Sequence, residues 1–296
     1  MHSCNLCPRE CGADREAGAA GFCRSPENAV VCRAAPHFGE EPCISGTRGS
    51  GAVFFCGCNL RCVFCQNRDI SRSMEKGKAL SDEELARIFA ALEAQGVHNI
   101  NLVTPSHYTG AIRRALRLGK PGVPVVYNSS GYDSVLALKS LSGLVNVYMP
   151  DMKYLDAKMA GDYSAAPDYP ETAKRAIIEM YRQTGPFVLD EAGLMQSGVI
   201  IRHLIMPGSL DNTFDVIDWT AETFPRGSVM FSLMAQYTPM GSFPQHPELE
   251  RGITQEEYGR AVSYLEYSGI ETGFVQEMSS ATSEMLPDFD LTGVDI

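Results

Sequence analysis

From Gln66 to the C-terminus the sequence contains no cysteine, although ten lie between Cys4 and Cys65. A disulfide framework spread over the whole molecule is thereby excluded, and most of the chain must fold on its apolar core alone. Basic residues are also few: 25 Lys and Arg stand against 36 Asp and Glu, a formal charge of −11. That balance argues against a nucleic-acid partner, which needs clustered cations to neutralise phosphates. No stretch approaches the ~18 uninterrupted apolar residues of a membrane span. Met1-His2-Ser3-Cys4 has neither the basic region nor the apolar run of a secretory signal. After Arg260 there is no Lys or Arg, so the acidic stretch 277–296 reads as a solvated or loosely docked tail. These absences predict a cytoplasmic protein with no membrane partner.

What is present is enough to build a large core, since 44% of the 296 residues are apolar. Beyond residue 50, short β-rich runs at 52–56, 99–104, 123–127, 145–149, 199–206 and 229–234 alternate with amphipathic stretches. Several are continuous Val, Ile and Leu runs, the pattern of parallel strands buried on both faces. Ser81-Asp-Glu-Glu84 and Thr254-Gln-Glu-Glu257 are capping boxes that each open a helix. Further helices are predicted around 107–119, 132–140, 170–184 and 212–224. Six βα units predict an α/β fold, a partial (βα)6 barrel over residues 51–276 preceded by a Cys-rich, loop-rich cap over 1–50. A doubly wound sheet is the competing architecture. Polar residues recur just beyond successive strands, at Thr104-Pro-Ser-His107, Asn128-Ser-Ser130, Asp151, Lys153 and Gln236. In a barrel these positions share one mouth.

Cys58, Cys62 and Cys65 form a C-x3-C-x2-C loop. A tetrahedral zinc site or an iron–sulfur cube takes four protein ligands, and this loop offers three. A cube held at three corners leaves one iron free for a substrate's amine and carboxylate. Phe64 beside the third cysteine offers a flat apolar face. A zinc knuckle and a thioredoxin-like Cys62-x-x-Cys65 are the alternatives.

The run Phe55-Cys-Gly-Cys-Asn-Leu-Arg-Cys-Val-Phe-Cys-Gln-Asn67 resembles the cluster loop of radical SAM enzymes. Together with Cys7-Pro-Arg9 and His37-Phe-Gly-Glu-Glu-Pro42 it resembles the branch related to the pyruvate formate-lyase activating enzyme. The resemblance implies a [4Fe–4S] cluster on Cys58, Cys62 and Cys65, and S-adenosylmethionine cleaved to a 5′-deoxyadenosyl radical. It implies a one-electron donor such as flavodoxin or ferredoxin, and hydrogen abstraction from a protein or peptide, glycyl-radical activation being the specific form. Phe64 would lie by the adenine and Asn128 and Ser130 in the turn that holds the cofactor. Asp151-Met-Lys153 matches an Asp-x-Lys whose acid helps hold a monovalent cation, although Asn128 is neutral where an acid is expected; an ion pair alone is the plainer reading. Arg202 or His203 supplies a further contact, His203 reading more readily as a core histidine in an apolar strand, and Gln236 takes a late-barrel position. Where activases carry a Gly-Gly-Glu turn this chain has Thr104, Ser106 and His107, whose oxygens and ring offer substitutes. The rivals are a radical SAM enzyme acting on a small molecule or a peptide at another carbon, and a noncatalytic iron–sulfur or zinc electron-transfer protein.

Cys4, Cys7, Cys11 and Cys23 form a second group, C-x2-C-x3-C-x11-C. Structural zinc and a second iron–sulfur cluster are both compatible with it, as is an inert cap of buried thiols. Cys32, Cys43 and Cys56 read as small core residues.

Overall fold

The computed structural model describes residues 4–280 and 287–295; residues 281–286 of the acidic tail, Glu284 among them, lie outside the described residues. The chain enters through β1 (Ala29–His37), α1 (Pro42–Ser45) and β2 (Ser50–Phe55), then α2 (Arg68–Ser71) and the short β3 (Lys78–Leu80). Regular alternation follows: α3 (Asp82–Ala94), β4 (Ile100–Val103), α4 (Thr109–Leu118), β5 (Val125–Ser129), α5 (Val135–Ser140) and β6 (Val147–Pro150). Next come α6 (Ala157–Ser164), α7 (Tyr169–Thr184), β7 (Val188–Leu189), β8 (Met195–Leu204), α8 (Leu210–Thr223), β9 (Met230–Met234), α9 (Gln255–Tyr267) and β10 (Gly273–Val275).

The sheet runs β10-β9-β8-β6-β5-β4-β2-β1-β3. All pairings from β2 to β10 along it are parallel, while β1 pairs antiparallel with both β2 and β3. The six expected runs are β2, β4, β5, β6, β8 and β9, and the parallel α/β architecture is that of a partial barrel. β10 adds a seventh parallel strand, too short to show as a periodic run. β1 extends the other side from within residues 1–50, buried over most of its length. Helix starts follow the sequence. Ser81 Oγ accepts from Glu84 N at 3.2 Å and Glu84 Oε2 accepts from Ser81 N at 2.8 Å. Leu85, Ile88, Phe89 and Leu92 then bury one face of α3. Thr254 and Glu257 repeat the box at α9.

Strand alternation builds the interior in layers. Val126, Val147, Met149, Ile200 and Met230 pack with Cys43 and Ile44 of α1 into a small apolar cluster. Two residues further along their strands, the same faces carry Asn128, Asp151 and Arg202. Apolar side chains therefore fill one layer and polar ones the next, toward the C-terminal strand ends. Cys32, Cys43 and Cys56 are buried, as expected of small core residues. No helix among the described residues is long and apolar enough to cross a membrane.

Candidate functional site

The loop after β2 carries the three spaced thiols and is held from several sides. Val63 N donates to Tyr163 O at 2.9 Å and Arg61 N to Ser164 O, both at the end of α6. Asn59 Nδ2 donates to Tyr132 O, and Arg9 Nε to Asn59 O at 2.8 Å. Gly57 has φ 82, and a Cβ there would stand 2.9 Å from the Cys23 carbonyl. Its freedom thus serves a close approach by the N-terminal segment.

Cys58, Cys62 and Cys65 line one cavity of about 270 Å³ at the C-terminal strand ends. Around it stand Phe64, Thr104, Asn128, Ser130, Asp151, Lys153, Arg202 and Gln236 from the loops or ends of β2, β4, β5, β6, β8 and β9. Burial pushes the Cys58 and Cys62 thiols up, and their mutual proximity raises Cys58 further. Lys153 opposes that rise without cancelling it, and a cationic iron–sulfur group would supply the further positive charge that thiolates need. Donors already face the sulfurs: Leu60 N lies 3.4 Å from Cys58 Sγ, and the Ser164 hydroxyl 3.0 Å from Cys62 Sγ. The set suits a cluster spread over several atoms. Among the described residues no three His, Cys, Asp or Glu are placed to hold a single ion.

Opposite the thiols lies a charged network. Arg202 Nη2 approaches Asp151 Oδ1 at 2.9 Å, and Lys153 Nζ approaches Asp151 Oδ2 at 2.5 Å. Burial works against the Asp151 carboxylate, but Lys153 and Arg202 more than offset it and hold its pKa low. Both Asp151 oxygens are engaged, so a monovalent cation would have to displace one of these partners. Arg202 also reaches Glu40 Oε2 at 3.2 Å and Asn128 Oδ1 at 2.6 Å. Glu40 Oε1 accepts from Asn101 and Asn128. Its burial pushes Glu40 up to about 7 despite Arg202. Two cations and two carboxyl groups nearly neutralise one another inside the barrel, as buried charges must.

Glu40 is the site residue that strand-end reasoning passes over. It arrives from the loop between β1 and α1, and its motif, His37-Phe-Gly-Glu-Glu-Pro42, was its only sequence signal. Arg48, a few residues further on, points away and meets His98 at 3.1 Å in an exposed position.

The turn after β4 splits its residues. Thr104 lines the cavity with φ 61, a costly conformation for a β-branched residue and one that concentrates at working sites. Ser106 and His107 are not in the cavity wall. His107 lies beneath the cysteine loop with Nε2 2.8 Å from the Cys56 carbonyl, which can only accept, so Nε2 carries the proton. Burial brings its pKa down to about 4. Arg202 and His203 point to opposite faces of β8. His203 bonds the Met152 carbonyl and the Thr213 hydroxyl, away from the cavity.

Comparisons with known proteins agree with this architecture. The family model of the radical SAM superfamily matches residues 52–217. An uncharacterized protein of Methanocaldococcus jannaschii is 31% identical over 274 residues, covering 89% of this chain and 74% of the relative. Among solved structures, Streptococcus suis SuiB bound to precursor peptide SuiA superposes with a TM-score of 0.51 at 14% identity. That match covers 77% of this chain and 49% of SuiB. SuiB bound to S-adenosylmethionine gives 0.50 at 14% identity, over 79% and 52%. The chain thus spans about half the length of these solved structures, and the likeness is one of fold.

Proposed function

Because the chain belongs to the radical SAM superfamily, we propose that Cys58, Cys62 and Cys65 hold its [4Fe–4S] cluster and that hydrogen abstraction from a peptide or protein is its reaction. The carrying observation is the single cavity in which three thiols face a buried, internally neutralised charge network. When bound, the cluster supplies the electron that splits S-adenosylmethionine into methionine and the 5′-deoxyadenosyl radical.

The chain's own groups bind, orient and exclude water. Lys153 and Arg202 offer donors to a carboxylate, and Asp151 keeps both ordered and balanced. Thr104 and Ser130 place oxygens at the strand ends for an amino group. Phe64 and Tyr237, with ring centroids 6.1 Å apart, offer aromatic faces to a flat base. Phe54, Leu60, Leu204 and Met234 complete the wall with apolar surface that keeps water from a reactive species. Gln236 closes the far side, its Oε1 accepting from Gln276 Nε2 at 3.0 Å. A flavodoxin or ferredoxin is the class of reductant such a centre takes.

A peptide-class substrate is supported by the likeness of fold to SuiB, whose structure holds a precursor peptide. Glycyl-radical activation is the narrower form, supported by the context of the cysteine loop. The test is anoxic: reconstituted protein with dithionite and S-adenosylmethionine releases 5′-deoxyadenosine, and Cys62→Ala abolishes release. Parent protein with an intact cluster and no release would overturn the reading. A glycyl-radical doublet in the electron paramagnetic resonance of a candidate partner separates the narrower form from other peptide chemistry.

A further inference from the structure

Behind the cysteine loop lies a group of tyrosines that do not line the cavity. Tyr154 and Tyr169 are fully buried and Tyr163 nearly so. The Tyr154 ring meets that of Tyr169 at 5.4 Å and that of Tyr163 at 6.3 Å, both edge to face. Among the described residues its hydroxyl has one partner, Ser164 Oγ at 2.8 Å, and Ser164 Oγ in turn stands 3.0 Å from Cys62 Sγ. Ser164 is fully buried as well, so solvent serves neither hydroxyl.

The main chain fixes this line of atoms. Ser164 closes α6, and Ala165 after it turns back at φ 53. The Tyr163 carbonyl accepts from Val63 N at 2.9 Å and the Ser164 carbonyl from Arg61 N at 3.3 Å, on either side of Cys62. Arg9 Nη1 ties down the Ala165 carbonyl at 2.6 Å. The serine hydroxyl is thereby registered against the sulfur by bonds in which it takes no part.

Proton counting gives the line a direction. Burial pushes the Tyr154 hydroxyl well up, so it keeps its proton, and Ser164 Oγ is the acceptor it reaches. The serine proton then has Cys62 Sγ as its remaining partner. A neutral thiol would compete for the same oxygen, whereas a thiolate only accepts and leaves every buried donor in the line satisfied. The other two sulfurs have no such line. Cys58 Sγ receives Leu60 N at 3.4 Å. Cys65 Sγ lies 3.4 Å from Ser71 Oγ, a half-buried hydroxyl with no second partner among the described residues.

We infer that Tyr154 and Ser164 are positioning residues that hold a hydrogen bond on Cys62 and thereby raise the reduction potential of the [4Fe–4S] cluster. The inference rests on Cys62 being a cluster ligand. A donor on a ligating sulfur draws negative charge from it, which favours the reduced, more negative state.

The test reads potential rather than turnover. The full chain, reconstituted without oxygen, is titrated with dithionite against redox mediators and followed by the electron paramagnetic resonance of the reduced cluster. Iron and sulfide are measured in every sample. In Ser164→Ala the oxidised-to-reduced ratio at a fixed potential should rise about tenfold, a fall of ~59 mV for one electron. Tyr154→Phe, which keeps the ring, should move it the same way by less, and Ser71→Ala least. Parent protein without a four-iron cluster would remove the assignment of Cys62 and this inference with it. With the cluster present in parent and variants, unchanged potentials would overturn the inference alone. So would a raised potential in Ser164→Ala, or a shift as large in Ser71→Ala. Iron lost from both Ser164→Ala and Tyr154→Phe would also overturn it, since the line would then build the site rather than tune it.

Discussion

The barrel and the N-terminal segment solve the same problem, holding a chain in one shape, by opposite means. The barrel stacks an apolar layer of Val126, Val147, Met149 and Ile200 under a polar layer of Asn128, Asp151 and Arg202. Its order comes from alternation along strands and from helix caps, which any good α/β sequence supplies. Residues 4–28 bury no aliphatic or aromatic side chain and keep their order through turns and through arginine side chains, Arg15 bonding the Ser25 and His107 carbonyls and Arg9 those of Asn59 and Ala165. The difference teaches that one chain can be ordered by two devices: Cys58, Cys62 and Cys65 lie on a loop that a finished scaffold grips, whereas residues 4–28 are pinned by side-chain bonds to backbone carbonyls.

The sharpest test of that contrast strikes the barrel's charges. Arg202→Met leaves Asp151 and Glu40 facing one another without their shared cation, and should cost about 3–5 kcal/mol in urea unfolding. A markedly smaller cost would show that Lys153 alone balances the two carboxyl groups.

Acid tests the barrel core next. Burial holds His203 near a pKa of about 4, below the unfolded value of ~6.5. The folded state thus keeps the ring neutral while the unfolded chain takes up a proton. Its contribution is complete above pH ~6.5 and falls away as pH drops toward 4, by about 3 kcal/mol. His203→Gln should flatten that part of the stability profile relative to the parent. An unchanged slope would show that other groups carry the acid sensitivity.

Local caps should have the smallest effect. Ser81→Ala and Thr254→Ala each remove a donor's partner at a helix start and should cost about 1 kcal/mol apiece. The two sites are on different helices, so their thermal effects should add. Marked non-additivity would mean that the helices are coupled more tightly than their separate capping implies.

Much of this was legible in the chain itself. Six strand runs and both capping boxes follow from local pattern, since continuous apolar runs and S/T-x-x-E chemistry act within a few residues. The spaced thiols, Asp151 and Lys153 could be nominated from position after a strand, and Arg202, inside β8, only from the family resemblance. Glu40 could not be paired from sequence, because its contact with Arg202 joins residues 162 apart along the chain. β1 was hidden by composition: Pro36 and Cys32 interrupt an otherwise strand-like run in a stretch rich in turn residues. His107 shows a different gap. A polar residue after a strand can serve the loop beneath the cavity as readily as the cavity, and only the carbonyl it meets decides which.

Beside the cavity, whose wall includes Pro287, the C-terminal stretch sets Phe289 against Phe54 and touches β1 along its own backbone. Leu291 N donates to Cys32 O, Thr292 O accepts from Ala34 N, and Val294 is buried. Exposed strand borders invite other chains to zip onto them. A version of the protein cut before Asp288 would therefore bare a sticky margin and also strip Phe289 from the cavity-wall ring of Phe54, so light scattering and turnover would both register the loss.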